Sequence, residues 1–101
     1  MYSFHVTFPD KKTAVRIVRL LVKERLAACA NIFPCTSVYR WKGKLHQHEE
    51  FVAIVKCPST HLKKIEKRIL ALHPYEVPAI LWHSEGATSK YANWVKKSAK
   101  K

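Results

Sequence analysis

The sequence predicts an α+β fold of the ferredoxin-like type: βαββαβ with an extra C-terminal helix and an antiparallel sheet. Apolar residues alternate with polar ones in four segments, which is typical of strands, and recur every three or four residues in three others, which is typical of helices. Their order along the chain is that of the split βαβ motif. With 101 residues, 48% of them apolar, the chain has the size of one domain spanning residues 1–101.

The first strand and the first helix have clear boundaries. Tyr2 to Phe8 alternates apolar and polar residues, as in a strand with one covered face. Pro9 ends this strand, and Asp10 is a suitable N-cap for a helix. The buried stripe of that helix follows the spacing i, i+3, i+4, i+7, i+8 and comprises Ala14, Ile17, Val18, Leu21 and Val22.

A long hairpin follows. Ala28 to Trp41 is rich in small, β-branched and aromatic residues, Lys42-Gly43-Lys44 predicts a tight turn, and Leu45 to Cys57 returns as the next strand. A 28–41 strand would reach on the order of 45 Å at about 3.3 Å per residue. Pro34 cannot donate to a strand ladder, so it predicts a bulge or an edge position. Alternatively, it splits the segment and the hairpin folds back onto its own sheet.

The far half of this hairpin has no cover within the chain, because two helices cover only a sheet of ordinary strand length. Its apolar residues are Val38, Tyr39, Trp41 and Phe51. We therefore expect other copies of the chain to cover it, with strand exchange between subunits.

The remaining elements are a helix, a strand and a final helix. Pro58-Ser59-Thr60 predicts a helix start and His73-Pro74 its end, with a buried stripe formed by Leu62, Ile65, Ile69 and Leu72. Val77 to His83 predicts the last strand. Ala87, Tyr91, Trp94 and Val95 predict the third helix, and Trp82 and Trp94 are expected in the core.

The net charge of +12 lies entirely on the predicted helices and their ends. Such a coat is typical of a solvated surface, although weak, salt-sensitive nucleic-acid binding is compatible with it. The strand from Glu50 to Lys56 lacks the aromatic pattern of RNA-binding members of this fold class, so no sequence-specific nucleic acid is expected. No secretory leader or membrane-length apolar run occurs, which favours the cytoplasm and excludes a membrane partner.

Catalytic and structural-metal motifs are also missing. With only Gly43 and Gly86 in the chain, glycine-rich phosphate cradles are excluded, and we expect no enzyme. The cysteines, Cys29, Cys35 and Cys57, form no CxxC pair, so we expect small buried thiols and neither a disulfide framework nor a zinc knuckle.

Several ordered blocks resemble one family, the divalent-cation tolerance proteins, CutA. The blocks are Glu24-Arg25-Leu26-Ala27-Ala28-Cys29-Ala30-Asn31-Ile32, Ser37-x-Tyr39-x-Trp41-x-Gly43-Lys44-Leu45, Lys56, His73-Pro74-Tyr75-Glu76-Val77-Pro78 and Tyr91-x-x-Trp94. The resemblance runs from about Val6 to Val95. It implies a ferredoxin-like homotrimer whose hairpins pair across subunits, involved in tolerance of divalent metal ions, copper above all, with no enzymatic reaction.

The chain departs from this family at positions that concern metal binding. A glutamate proposed to bind metal in many members is Ala79 here, and a cysteine and a histidine of some metal-binding relatives are Val6 and Leu72. An acidic residue common after the hairpin turn is His48. The metal site described for those relatives therefore does not carry over.

A different metal site is suggested by the spacing of His46, His48 and Glu50. At i, i+2 and i+4 on a strand, all three side chains point to one face. Imidazole and carboxylate together suit Cu, Zn or Ni. The alternative is the ordinary polar outer face of a hairpin.

The resemblance also implies a cleft between subunits. It would contain Tyr39, Trp41, Lys56, His73, Tyr75 and Glu76. Aromatic walls with a few polar groups are typical of a small-ligand pocket, but Tyr39 and Trp41 also suit interface anchors. His73 also suits a helix C-cap whose ring interacts with the helix dipole.

The sequence thus favours a cytoplasmic homotrimer that binds a divalent metal ion, with copper or another divalent metal as cofactor and no catalysis. The alternative is a trimeric small-ligand sensor with an anion or nucleotide in the intersubunit cleft, held by Lys56 and Arg40. A third possibility is a structural module that presents its helices to a protein partner.

Overall fold

The computed structural model describes residues 1–100 and confirms the α+β, ferredoxin-like class. The elements are β1 (Tyr2–Phe8), α1 (Lys11–Lys23), β2 (Cys29–Trp41), β3 (Lys44–Cys57), α2 (Leu62–Leu72), β4 (Ile80–Ser84) and α3 (Ser89–Ser98). A single 3₁₀ turn, Ser59–His61, precedes α2. The sheet order is β2-β3-β1-β4, with every neighbouring pair antiparallel.

The hydrophobic core lies between one face of the sheet and helices α1 and α2. Phe4, Val6 and Phe8 of β1 are almost fully buried in it, together with Ile17 of α1 and Ile65 of α2. Asp10 caps α1 as predicted, because its carboxylate accepts a 2.7 Å hydrogen bond from the Thr13 N–H. The alternating apolar residues of β1 and the apolar stripes of the two helices therefore pack against each other and form one core.

Helix α3 lies on the opposite side of the sheet, which we call the open face. The Tyr91 hydroxyl lies 3.1 Å from the Cys29 sulfur, and Cys29 alternates along β2 with Ala30, which packs against the core. The pKa of Tyr91 is raised to about 12, chiefly by this contact. Helix α3 covers only the end of the open face near Cys29, so the hairpin end remains uncovered.

The hairpin is continuous from end to end. Its register runs unbroken from Cys29 opposite Lys56 to Trp41 opposite Lys44, and the molecule measures 45 Å along its longest axis. Pro34 lies opposite Phe51 on β2, which is an edge strand. The edge interpretation of Pro34 is therefore confirmed, and the alternative in which it splits the strand is wrong.

The turn of the hairpin places two residues in the left-handed region. Lys42 has φ 51° and Gly43 has φ 78°, as a two-residue type I′ turn requires. We expect Gly43→Ala to lower the free energy of unfolding by about 1–2 kcal/mol because an L-residue is strained there. A Cβ at Gly43 or at Gly86 would have no heavy atom within 4 Å, and only Gly43 has positive φ. Urea unfolding of Gly86→Ala is thus the matched control, and equal losses in both variants would contradict the prediction.

The last strand is shorter than predicted. It begins at Ile80 instead of Val77, because Pro78 cannot donate to a ladder. Residues 73–79 form a loop, called the 73–79 loop below.

Two tryptophans and Phe51 also differ from expectation. Trp82 and Trp94 are 40% and 48% exposed, so their placement in the core was wrong, although the Trp82 ring lies 5.7 Å from the Phe4 ring between centroids. Phe51 is not part of the uncovered hairpin surface, because it packs against the core.

The three cysteines are all free thiols. Cys57 is buried, as predicted, whereas Cys29 and Cys35 are only partly buried.

Within residues 1–100, none of the helices combines the length and the apolar character that crossing a membrane would require.

Candidate functional site

His73 fixes the start of the 73–79 loop. Its Nε2–H donates a 2.7 Å hydrogen bond to the Thr7 carbonyl, and its Nδ1 accepts a 3.1 Å bond from the Tyr75 N–H. Its ring stacks on Phe8 with 4.8 Å between centroids. The loop is thereby tied to the end of β1 as it passes from the helix side of the sheet to the open face.

The surroundings of His73 lower the pKa of its imidazole and occupy both ring nitrogens. Burial lowers the pKa of its imidazole, and the hydrogen bond to Thr7 and the charge of Glu50 oppose that shift only in part. As predicted, His73 is the C-cap residue of α2, and its backbone N–H donates to the Ile69 carbonyl. The ring itself bonds to Thr7 and Tyr75, and its interaction with the helix dipole stays a prediction. Both ring nitrogens are therefore engaged.

Glu50 and Tyr75 connect β3 to the 73–79 loop. Glu50 is only 7% exposed, and its carboxylate accepts a short hydrogen bond from the Tyr75 hydroxyl. Burial, followed by the neighbouring Glu50, raises the pKa of Tyr75. The phenol therefore keeps its proton and acts as a donor to the carboxylate.

A cavity of about 610 Å³ lies on the open face between the hairpin and the 73–79 loop. Four of the predicted cleft residues line it: Tyr39, Trp41, Tyr75 and Glu76. Glu50, which was predicted as a metal ligand, lines it as well, as does Ala79. A volume of this size suits a small organic molecule.

Lys56 is not part of this cavity. Its ammonium group donates a 2.9 Å hydrogen bond to the Asn31 side chain, and it pairs with Cys29 near α3. Six residues of strand separate it from Glu50, roughly 20 Å. Within one chain, the structure therefore brings together Tyr39, Trp41, Tyr75 and Glu76, with His73 behind Tyr75, but not Lys56.

The predicted metal ligands His46, His48 and Glu50 are not assembled into one group. Within residues 1–100 no set of three His, Cys, Asp or Glu side chains is placed to hold a metal ion. The shared face was correct, since the His46 and His48 rings stack with 5.7 Å between centroids. Glu50 is instead bonded to Tyr75, whereas His46 and His48 both stack against Tyr39.

Sequence reasoning missed the pairing of Glu50 with Tyr75. Strand alternation with the hairpin register places Glu50 on the same face as Tyr39 and Trp41. That these three residues share one surface could therefore be predicted from the sequence. The approach of Tyr75 from 25 residues away depends on the path of a loop, which leaves no periodic signal.

The fold and the site define a class: a ferredoxin-like α+β protein with an overlong hairpin and a cavity between that hairpin and the 73–79 loop. The family model of the CutA1 divalent ion tolerance protein matches residues 2–98. The chain therefore belongs to the CutA1 divalent ion tolerance family, which confirms the resemblance in its sequence blocks.

Individual relatives agree with this assignment. The chain is 37% identical to the divalent-cation tolerance protein CutA of Pyrococcus horikoshii, over the full length of both. It is 41% identical to that of Thermus thermophilus, over 92% of each chain. The crystal structure of CutA1 from Pyrococcus horikoshii matches with a TM-score of 0.95 at 36% identity and full coverage of both chains. A PII-like protein CutA from Nostoc matches with a TM-score of 0.93 at 30% identity, over 99% of this chain and 98% of that one.

Proposed function

We propose that this protein is a cytoplasmic homotrimer that contributes to tolerance of divalent metal ions, copper in particular, by binding them and without catalysing a reaction. Family membership and relatives named divalent-cation tolerance proteins support the metal role. The trimer is supported by the uncovered hairpin.

The observation that carries the metal proposal is the pair of imidazoles on the hairpin. The His46 and His48 rings are stacked at 20° to one another, and no hydrogen bond to either ring is formed within residues 1–100. Neutral imidazole is a good ligand for Cu²⁺ and Zn²⁺. The pair supplies two ligands, and water or a second copy of the chain would complete the shell.

Calorimetric titration with Cu²⁺ tests this proposal. We expect His46→Ala/His48→Ala to weaken Cu²⁺ binding at least about tenfold, because one lost ligand contact of 1.4 kcal/mol already has that effect. The matched control is His5→Ala/His83→Ala, which removes two exposed histidines from elsewhere on the open face and should leave the affinity unchanged. Unchanged binding in the hairpin variant, or equal loss in the control, would reject these ligands.

A second candidate function, small-ligand binding, is supported by the 610 Å³ cavity and by the PII-like description of the Nostoc relative. The version with an anion or nucleotide needs Lys56 and Arg40 at the cleft. Lys56 bonds to Asn31, and the Arg40 guanidinium donates to the Gly43 carbonyl at the hairpin turn. The lining of the cavity therefore favours a ligand without negative charge.

A further inference from the structure

We propose that the cavity between the hairpin and the 73–79 loop binds an organic ammonium ion, such as an aliphatic amine. The inference rests on the second candidate function, small-ligand binding, and specifies its ligand class. It is independent of the metal ligands proposed above.

The first argument is the charge of the lining. Two carboxylates, Glu50 and Glu76, line the cavity, and none of the eleven lining residues is Lys, Arg or His. This composition contrasts with the net charge of +12 of the whole chain, which lies on the helices and their ends. A nucleotide or another anion would meet two carboxylates here, and no cationic residue lines the cavity to offset them.

The second argument is the state of Glu50. Its carboxylate is buried and accepts a hydrogen bond from the uncharged Tyr75 hydroxyl. It has no ion-pair partner within residues 1–100. A buried carboxylate is stabilised strongly by a cation that reaches it, because the surrounding dielectric is low. One oxygen is bonded to Tyr75, so the carboxylate retains the capacity to accept an N⁺–H donor from a ligand.

The third argument is the aromatic wall. Tyr39, Trp41 and Tyr75 line the same cavity, and the faces of such rings attract cations. The Trp41 ring already has a cationic neighbour, since the Lys42 ammonium lies 5.8 Å from its centroid. Aromatic rings together with a carboxylate are the combination that recognises organic ammonium groups.

A metal ion fits this cavity less well than an organic cation does. Only Glu50 and Glu76 supply metal-type ligands, and no three such groups converge within residues 1–100. The remaining wall includes Val77 and Ala79, whose apolar surface suits the methylene groups of an amine.

A series of probes of equal length isolates the effect of charge. In calorimetry on the full chain we use 1,4-diaminobutane, 1,4-butanediol and succinate, which are dicationic, neutral and dianionic. We expect the diamine to bind at least about tenfold more tightly than the other two, because a charge-assisted hydrogen bond contributes about 1.5–3 kcal/mol. Equal affinities across the series, or the absence of diamine binding, would overturn the proposal.

Variants place the diamine in the cavity. Glu50→Gln keeps an oxygen that accepts from the Tyr75 hydroxyl and removes only the charge, so we expect at least about tenfold weaker binding. Glu49→Gln is the matched control: its side chain lies on the opposite face of β3, bonded to Thr36, and binding should change less than about twofold. Equal effects of the two variants would overturn the proposal.

Two further variants separate this inference from the proposed functions. Diamine binding that survives in His46→Ala/His48→Ala and is lost in Trp41→Leu supports the cavity whatever the outcome of the Cu²⁺ titration. If instead succinate or the diol binds and Trp41→Leu abolishes that binding, small-ligand binding stands and the ammonium class is wrong. If no probe binds in a Trp41-dependent way, the ammonium proposal fails and the metal proposal is unaffected.

Discussion

Replacing His73 with alanine is expected to lower the free energy of unfolding by about 2–4 kcal/mol. The change leaves the Thr7 carbonyl and the Tyr75 N–H without their partner, and each unsatisfied buried group costs about 1–3 kcal/mol. It also removes the ring that stacks on Phe8, a contact worth about 0.5–1.5 kcal/mol. Urea unfolding measures the loss. His83→Ala is the control, because His83 is exposed and bonds only to Glu85 in residues 1–100, so its loss should stay within about 0.5 kcal/mol.

The same prediction has a pH signature. The pKa of His73 is lowered in the folded state by burial, whereas in the unfolded chain it has its ordinary value of about 6.5. As pH falls below about 6.5, the unfolded state takes up a proton that the folded state binds less readily, so stability decreases. His73→Ala cannot show this contribution, and its deficit relative to the wild type should shrink from pH 8 to pH 5. A deficit that is constant with pH, or no larger than that of His83→Ala, would contradict this account of His73.

The elements that the sequence predicted well are those fixed by local periodicity. The Asp10 cap, the burial of Phe4, Val6 and Phe8, and the hairpin around Gly43 each follow from spacing and residue type within one element. The start of β4 was misplaced because the apolar run over residues 77–81 does not indicate which of its residues pair with a neighbouring strand. Pro78 has no backbone N–H to donate to the strand ladder, so the strand begins after it.

The candidate site was only partly predictable, because it is built from contacts between distant segments. Alternation correctly placed His46, His48 and Glu50 on one face of the hairpin. It could not indicate that Tyr75 would reach across β1 to bond with Glu50, which removed that carboxylate from the proposed metal group. The predicted burial of Trp82 and Trp94 was wrong for a related reason. A stripe of apolar residues indicates which side of an element is apolar but not whether a second layer of structure covers that side.

The second large effect concerns assembly. Strand β1 pairs with β3 only as far as Phe8 opposite Phe51, so residues 35–41 and 44–50 pair with each other alone and extend roughly 20 Å beyond β1. Exposed apolar residues lie on both faces of this extension: Val38 and Leu45 on the helix side, Tyr39 and Trp41 on the open face. A ribbon of this length that carries exposed apolar residues on both faces and has a free edge strand favours association. We expect light scattering to give three times the 11.7 kDa mass of one chain.

Leu45→Glu should dissociate this assembly. Leu45 is 71% exposed in the single chain, so the change costs little in a monomer, whereas burying an unpaired carboxylate in a subunit contact costs several kcal/mol. Leu70→Glu is the matched control, because Leu70 of α2 is 54% exposed and lies away from the hairpin. We expect Leu45→Glu to reduce the mass to that of one chain and Leu70→Glu to leave it unchanged. A wild-type mass of one chain, or equal dissociation by both variants, would show that the hairpin is not the surface on which copies associate.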